Sequence, residues 1–232
     1  MRVEPHEAYL LHRRKYRETS AILEILSLQY GRINCLLKGA FSDRKNSPAR
    51  TLQAFRPLQI GWLGKTDLPT VTKFEVGEQV YSLEGRGLYC GMYVNELIVR
   101  LVGRGETNPQ LFSLYESVLS DLSNRDVAIE QTLRRFEKYL LELCGYGLML
   151  VTEGESGLPV DPEKRYFYQL EHGPEREKVA PDDIEISGRA LVKLANDELL
   201  DELELQQTKQ LMRRILSRYL GDKPLASRSL FV

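Results

Sequence analysis

The chain of 232 residues carries 32 Lys and Arg against 33 Asp and Glu, a net charge of −1, and 42% of its side chains are hydrophobic. That balance is ordinary for a globular protein and the length buries a core as one large domain or two small ones, which excludes a small disulfide-stapled scaffold. The three cysteines, Cys35, Cys90 and Cys144, stand more than fifty positions apart, which excludes a Cys-x-x-Cys zinc site and predicts a reducing compartment. The segment from Met1 to Glu18 has acidic residues early and no apolar run of signal-peptide length. The longest apolar stretch, Leu143 to Val151, is broken by glycines and falls far short of the roughly 20 residues of a membrane span. A cytoplasmic protein without a membrane partner is predicted. The near-neutral total hides an asymmetry, because residues 1–80 hold 13 basic and 8 acidic side chains whereas residues 81–150 carry −2 and residues 151–232 carry −4. Partners therefore have to be judged region by region.

The first eighty residues read as short strands with turn punctuation, Ala8 to Arg13 and then Thr19 to Leu28. Tyr30-Gly31 turns the chain into Arg32 to Lys38, where Ile33, Cys35 and Leu37 alternate with Arg32, Asn34 and Lys38 as a half-buried strand does. A polar stretch from Gly39 to Ala54 follows, then Leu58, Ile60 and Trp62 alternate, Gly64 to Pro69 turns, and Val71 to Val76 closes the set. Five strands with one long loop predict an OB-like barrel over residues 1–80, the commonest five-stranded arrangement that hides its edges and leaves loops free to bind nucleic acid.

At Gly85 to Gly87 the period changes from two to helical, which predicts a helical domain over residues 81–232 and an α+β fold class. Leu88 to Val102 is apolar nearly all round and reads as a buried helix. Asn108-Pro109 caps the next, with Leu111, Tyr115, Val118 and Leu122 as its stripe. A third runs from about Asp126 to Cys144 on Ile129, Leu133, Phe136, Leu140 and Leu143, stopped by Gly145 and Gly147. Residues 151–185 turn to Gly, Pro and acidic residues around an aromatic strand, Arg165 to Leu170, and read as an irregular or ribbon-like insert. Helical spacing returns at Ala190 to Leu194 and at Thr208 to Leu220, where Leu211, Ile215, Leu216 and Tyr219 face inward and Lys209, Arg213, Arg214 and Arg218 outward.

Catalytic chemistry is not legible. His6, His12 and His172 sit in no nucleophile motif, and Gly61 to Thr66 ends in Gly-Lys-Thr without the glycine a phosphate-binding loop needs. Gly85-Arg86-Gly87 lacks the third glycine of a dinucleotide fingerprint. The acidic pairs Asp182-Asp183 and Asp197-Glu198 read as solvated faces rather than a metal site. No catalytic residue, cofactor or metal is predicted.

The informative cluster is Arg13-Arg14-Lys15-Tyr16-Arg17, four cations with an aromatic inside, followed on the same domain by Arg32, Lys38, Arg44, Lys45, Arg50 and Arg56. Cations spaced along a groove neutralise phosphates and release counterions, while aromatic faces stack bases. The same run fits the charged rim of any soluble barrel, and the same chemistry fits an OB-fold RNA-binding module.

The strings Ala8 to Arg13, Glu18-Thr19-Ser20, Gly31-Arg32, Leu37-Lys38-Gly39-Ala40 and Phe55-Arg56-Pro57-Leu58 resemble the bacterial recombination mediators of the RecO family. The resemblance continues through Leu88 to Leu97, Leu133-Arg134-Arg135-Phe136-Glu137 and Gly145-Tyr146-Gly147, and ends with Tyr219 to Leu225, Ser227-Arg228 and Leu230-Phe231. It implies an OB barrel, a helical domain and a ribbon-like insert, in a protein that is not an enzyme. It further implies binding of single- and double-stranded DNA, annealing of complementary strands, and help, with RecR, in loading RecA onto DNA coated by single-strand-binding protein (SSB) at the bacterial nucleoid. The expected DNA contacts are Arg13, Arg14, Lys15, Arg17, Arg32, Lys38, Arg44, Lys45 and Arg50. Many members carry a four-cysteine zinc site in the insert, and a chain with no cysteine after Cys144 resembles the zinc-free branch. The SSB C-terminal tail docks on the helical domain of the family, and the match carries that role to Arg134, with Leu141 as a groove wall. A guanidinium can clamp a terminal carboxylate with two hydrogen bonds.

Overall fold

The computed structural model describes residues 1–42, 47–64 and 66–231, the side chains of Ala49, Arg50 and Phe231 excepted. It separates into two compact units: Met1–Asn124 together with the chain from Leu225 onward, and Arg125–Pro224.

The first unit is built on five strands, β1 (Arg2–Tyr16), β2 (Ser20–Ser27), β3 (Gly31–Leu37), β4 (Pro57–Leu63) and β5 (Thr70–Val76). They close in the order β1-β2-β3-β5-β4, with β1 pairing back onto β4. The β3–β5 seam is parallel through Leu36 and Thr70, and the other pairings are antiparallel. This is the OB-like barrel expected from the strand count. One long strand serves two partners because β1 bends: register shifts at Val3/His6 and at Leu10/His12 redirect it from β4 to β2. Leu10, Leu23, Ile25, Cys35, Leu58, Ile60 and Trp62 fill the interior, and Ala40 and Leu52 from the β3–β4 loop join them. That loop contains a single helical turn, α1 (Pro48–Thr51).

The weak alternation in β1 has a packing cause. Ala8 and Leu10 point into the barrel, while Tyr9 and Leu11 are equally buried on the outer face. There the Tyr9 ring lies against Phe112 and Tyr115, and its hydroxyl donates to Glu116 Oε1 at 2.9 Å. Two helices supply this cover, α2 (Gly85–Leu101) and α3 (Pro109–Ser123). Asn95 of α2 donates to the Leu11 carbonyl at 2.9 Å and accepts from the Tyr115 hydroxyl at 2.7 Å, so each buried polar atom is paired. Asn108 caps α3 as its position before proline predicts, accepting from Leu111 N. Helical spacing sets in at Gly85 to Gly87 and places a boundary near residue 80, but the compact unit runs on to Asn124, because α2 and α3 cover the outer face of β1. The chain returns to this unit at its end, where a 3-10 segment, Ala226–Phe231, starts against α2 with Glu96 accepting from Ala226 N and Ser227 N.

The second unit holds α4 (Ile129–Leu143), a three-stranded sheet of β6 (Arg165–Gln169), β7 (Gly173–Glu175) and β8 (Ile184–Ser187), then α5 (Gly188–Ala195) and α6 (Glu202–Leu220). The sheet, ordered β7-β6-β8, is the ribbon-like insert. Its hub is Glu153, which accepts from Arg176 Nε, Ser156 Oγ and Tyr166 Oη. Helix α6 starts six residues before Thr208, because Asp201 and Glu204 form a reciprocal capping box. Asp197, though exposed, is engaged: it accepts from Lys138 Nζ at 2.7 Å and from Tyr139 Oη at 2.5 Å. Asp182 is likewise engaged, in an ion pair with Arg214.

Candidate nucleic-acid interface

The cross-strand register gathers the basic residues at one end of the barrel. Lys15 pairs with Ala21 and Ala21 with Leu37, so the tip of the β1–β2 hairpin and the end of β3, followed by Lys38, lie side by side. Arg14, Lys15, Arg17 and Lys38 are exposed there. Phe41 N donates to the Thr19 carbonyl at 2.9 Å, which pins the start of the β3–β4 loop onto the hairpin tip. Arg13 is half-buried, donates to the Leu52 carbonyl at 3.2 Å and lies 5.8 Å from the Phe41 ring centre, so it anchors the loop as well as adding charge. The Arg17 guanidinium lies 5.2 Å from the Tyr16 ring centre. Four exposed cations and two half-buried rings, Tyr16 and Phe41, thus share one end. Phe41 carried no charge or motif to mark it in the sequence, and only the closing of the loop brings it there. Arg44 and Lys45 lie outside the described residues, as does the side chain of Arg50.

Arg32, expected among the exposed cations, is instead buried. It is 8% exposed, its Nε donates to the Val102 carbonyl at 2.9 Å and its Nη1 to Glu24 Oε2 at 3.1 Å. Burial pulls its pKa below the usual arginine range, with Glu24 working in the opposite direction. The alternation that gave β3 a polar face was real, but the end of α2 covers that face. Two neighbouring contacts complete the cover, Gly105 N donating to the Arg32 carbonyl and Thr107 Oγ1 to the Gln29 carbonyl. Gly31 sits at φ +64° where a Cβ would collide with the Glu106 carbonyl, so glycine is required at this approach.

Arg134 also differs from expectation. Thr132, Leu133, Arg134, Phe136, Glu137, Lys138, Leu140 and Leu141 of α4 are all buried, so the helix is covered on two faces rather than along one stripe. Arg134 Nη2 donates to Glu137 Oε1 at 2.8 Å, and the two side chains are 8% and 1% exposed. One turn on, Lys138 Nζ donates to the Leu194 and Ala195 carbonyls, the end of α5. The exposed guanidinium that docking on Arg134 called for is therefore a buried one, and Leu141 is a core residue. On α6, Arg213 and Arg218 are exposed.

Two family models cover almost the whole chain: "Recombination protein O N terminal" matches residues 1–80 and "Recombination protein O C terminal" matches residues 83–229. The chain belongs to the RecO family. It is 41% identical over 232 residues to DNA repair protein RecO of Nitrosospira multiformis, covering 99% of this chain and 95% of that one. The Nitrosococcus oceani protein of the same name is 41% identical, with 99% and 93% covered, and that of Coxiella burnetii strain RSA 331 is 39% identical, with 99% and 98% covered. Membership gives this RecO-family chain a role in DNA repair and recombination. A four-cysteine zinc cage does not fit its insert, where no cysteine follows Cys144 and Glu153 ties the segment together through an ion pair with Arg176 and hydrogen bonds from Ser156 and Tyr166. Among the described residues no helix is long and apolar enough to cross a membrane.

Proposed function

We propose that the chain is a non-catalytic recombination mediator that binds single- and double-stranded DNA through the basic end of its barrel. In this reading it anneals complementary strands and, with RecR, helps load RecA onto SSB-coated single strands. The observation that carries the DNA-binding part is the clustering of exposed Arg14, Lys15, Arg17 and Lys38 at one barrel end. Several cations within reach of one backbone bind phosphates without reading sequence. Docking of the acidic SSB tail belongs to the second unit. A tail carboxylate at Arg134 has to displace Glu137 from a buried pair, whereas at exposed Arg218 of α6 it has only to displace Glu171 from a solvent-exposed contact at 3.6 Å, so Arg213 and Arg218 are the better clamp. Strand annealing measured with full-length SSB and with SSB lacking its tail tests the proposal. Annealing should proceed on naked strands and on strands coated by intact SSB, and fail when the tail is missing. A competition with matched RNA oligonucleotides separates this reading from an RNA-binding module.

A further inference from the structure

We infer that Tyr16 and Arg17 form a base-stacking platform at the tip of the β1–β2 hairpin, giving the barrel end a grip on unpaired nucleotides that phosphate contacts alone do not supply. This rests on the DNA-binding reading above. Tyr16 ends β1, paired across the hairpin with Ser20, and its side chain is half-buried, so the ring is held by the barrel and still reaches solvent. Arg17 follows in the left-handed region at φ +55°, which side chains other than glycine disfavour. That conformation lays its guanidinium 5.2 Å from the Tyr16 ring centre, within the range of a cation–π contact. At this exposed tip the turn therefore presents the guanidinium and the ring together to solvent.

The chemistry is specific to unpaired bases. A phenol ring and a guanidinium both present flat faces on which any base stacks, and a duplex keeps its bases stacked on one another instead. Exposed Arg14 and Lys15, just before the ring, hold the phosphates on either side of a stacked base. The Phe41 N to Thr19 carbonyl bond fixes the tip, so little ordering is left to binding.

The test compares an oligothymidine strand with a strand of equal length made of abasic sugars, which keeps the phosphates and removes the bases, and with a blunt duplex. By fluorescence anisotropy at one salt concentration, the wild-type protein should bind the base-bearing strand about tenfold more tightly than the abasic one. Tyr16→Leu should erase that preference, and Tyr16→Phe should restore it. Equal wild-type affinity for the two strands overturns the platform, and so does equal loss in Tyr16→Leu and Tyr16→Phe. If the leucine variant fails to fold, Tyr16→Gln, which keeps a long side chain without a ring at the half-buried hairpin tip, takes its place in the comparison, with the same outcomes. If changing Arg14 and Lys15 to Ala leaves all affinities intact, the DNA-binding reading itself falls. If those changes weaken binding while Tyr16→Leu keeps the base preference, only the platform falls.

Discussion

Arg32 Nη1 and Glu24 Oε2 meet at 3.1 Å on the outer face of the barrel, with side chains only 10% and 12% exposed. A buried pair of this kind contributes little beyond what apolar residues would, but removing one partner leaves a charge stranded. Arg32→Ala should therefore cost about 3 kcal/mol of stability, and joint replacement by Met at 32 and Leu at 24 should cost much less. Denaturant melts of the three proteins check this. A DNA-affinity loss in Arg32→Ala larger than its loss of folded fraction would return Arg32 to the DNA path.

Exposed charge at the barrel end should govern the salt dependence of DNA binding. Each phosphate contact contributes about −0.7 to the log–log slope on single strands. Changing Arg14, Lys15 and Lys38 together to Ala should make the slope shallower by roughly 2. An unchanged slope would make these residues a solvated rim.

Charge reversal separates the two arginine sites of the second unit. Arg213→Glu with Arg218→Glu should weaken an SSB-tail peptide more than tenfold in an anisotropy titration, since both side chains are exposed and fold stability should hold. Arg134→Glu should instead lower the melting temperature, because a second carboxylate would be buried against Glu137. Selective peptide loss in a normally folded Arg134→Glu protein would restore Arg134 as the clamp.

Glu153 should make the insert sensitive to acid. Hydrogen bonding from Arg176, then from Ser156, lowers its pKa to about 2. A carboxyl whose folded pKa lies below its unfolded one stabilises the fold above the unfolded value, near 4.3, and loses that contribution as pH falls towards 2. Near-ultraviolet circular dichroism of the wild type should decline across that window. Glu153→Gln should be less stable at neutral pH and show a smaller decline, and an equal decline in both would place the acid sensitivity elsewhere.

Local chemistry was readable wherever it decides the outcome. Asn108 before Pro109 caps α3, and the alternation from Leu58 to Trp62 is β4. Asp201 to Glu204 had the spacing of a capping box, hidden inside an acidic run that resembles a solvated face. The burial of Arg32 and Arg134 is not legible for a different reason. Their own elements leave them on polar faces, and what covers them comes from residues far along the chain, Val102 for Arg32, or from a second packed side of the helix for Arg134. The basic cluster was visible as composition, but its convergence with Lys38 and Phe41 depends on strand register and loop closure.

The return of Ala226–Phe231 to α2 makes the second unit an insertion within the first. A ribosome releases residues in order, so the barrel and α2 emerge long before the segment that caps Glu96. The nascent first unit must wait through the whole of Arg125–Pro224 for its last piece, and during that interval the α2 surface that receives it stays open. Slow synthesis, or removal of the chain from Leu225 onward, would strike the N-terminal unit rather than the C-terminal one.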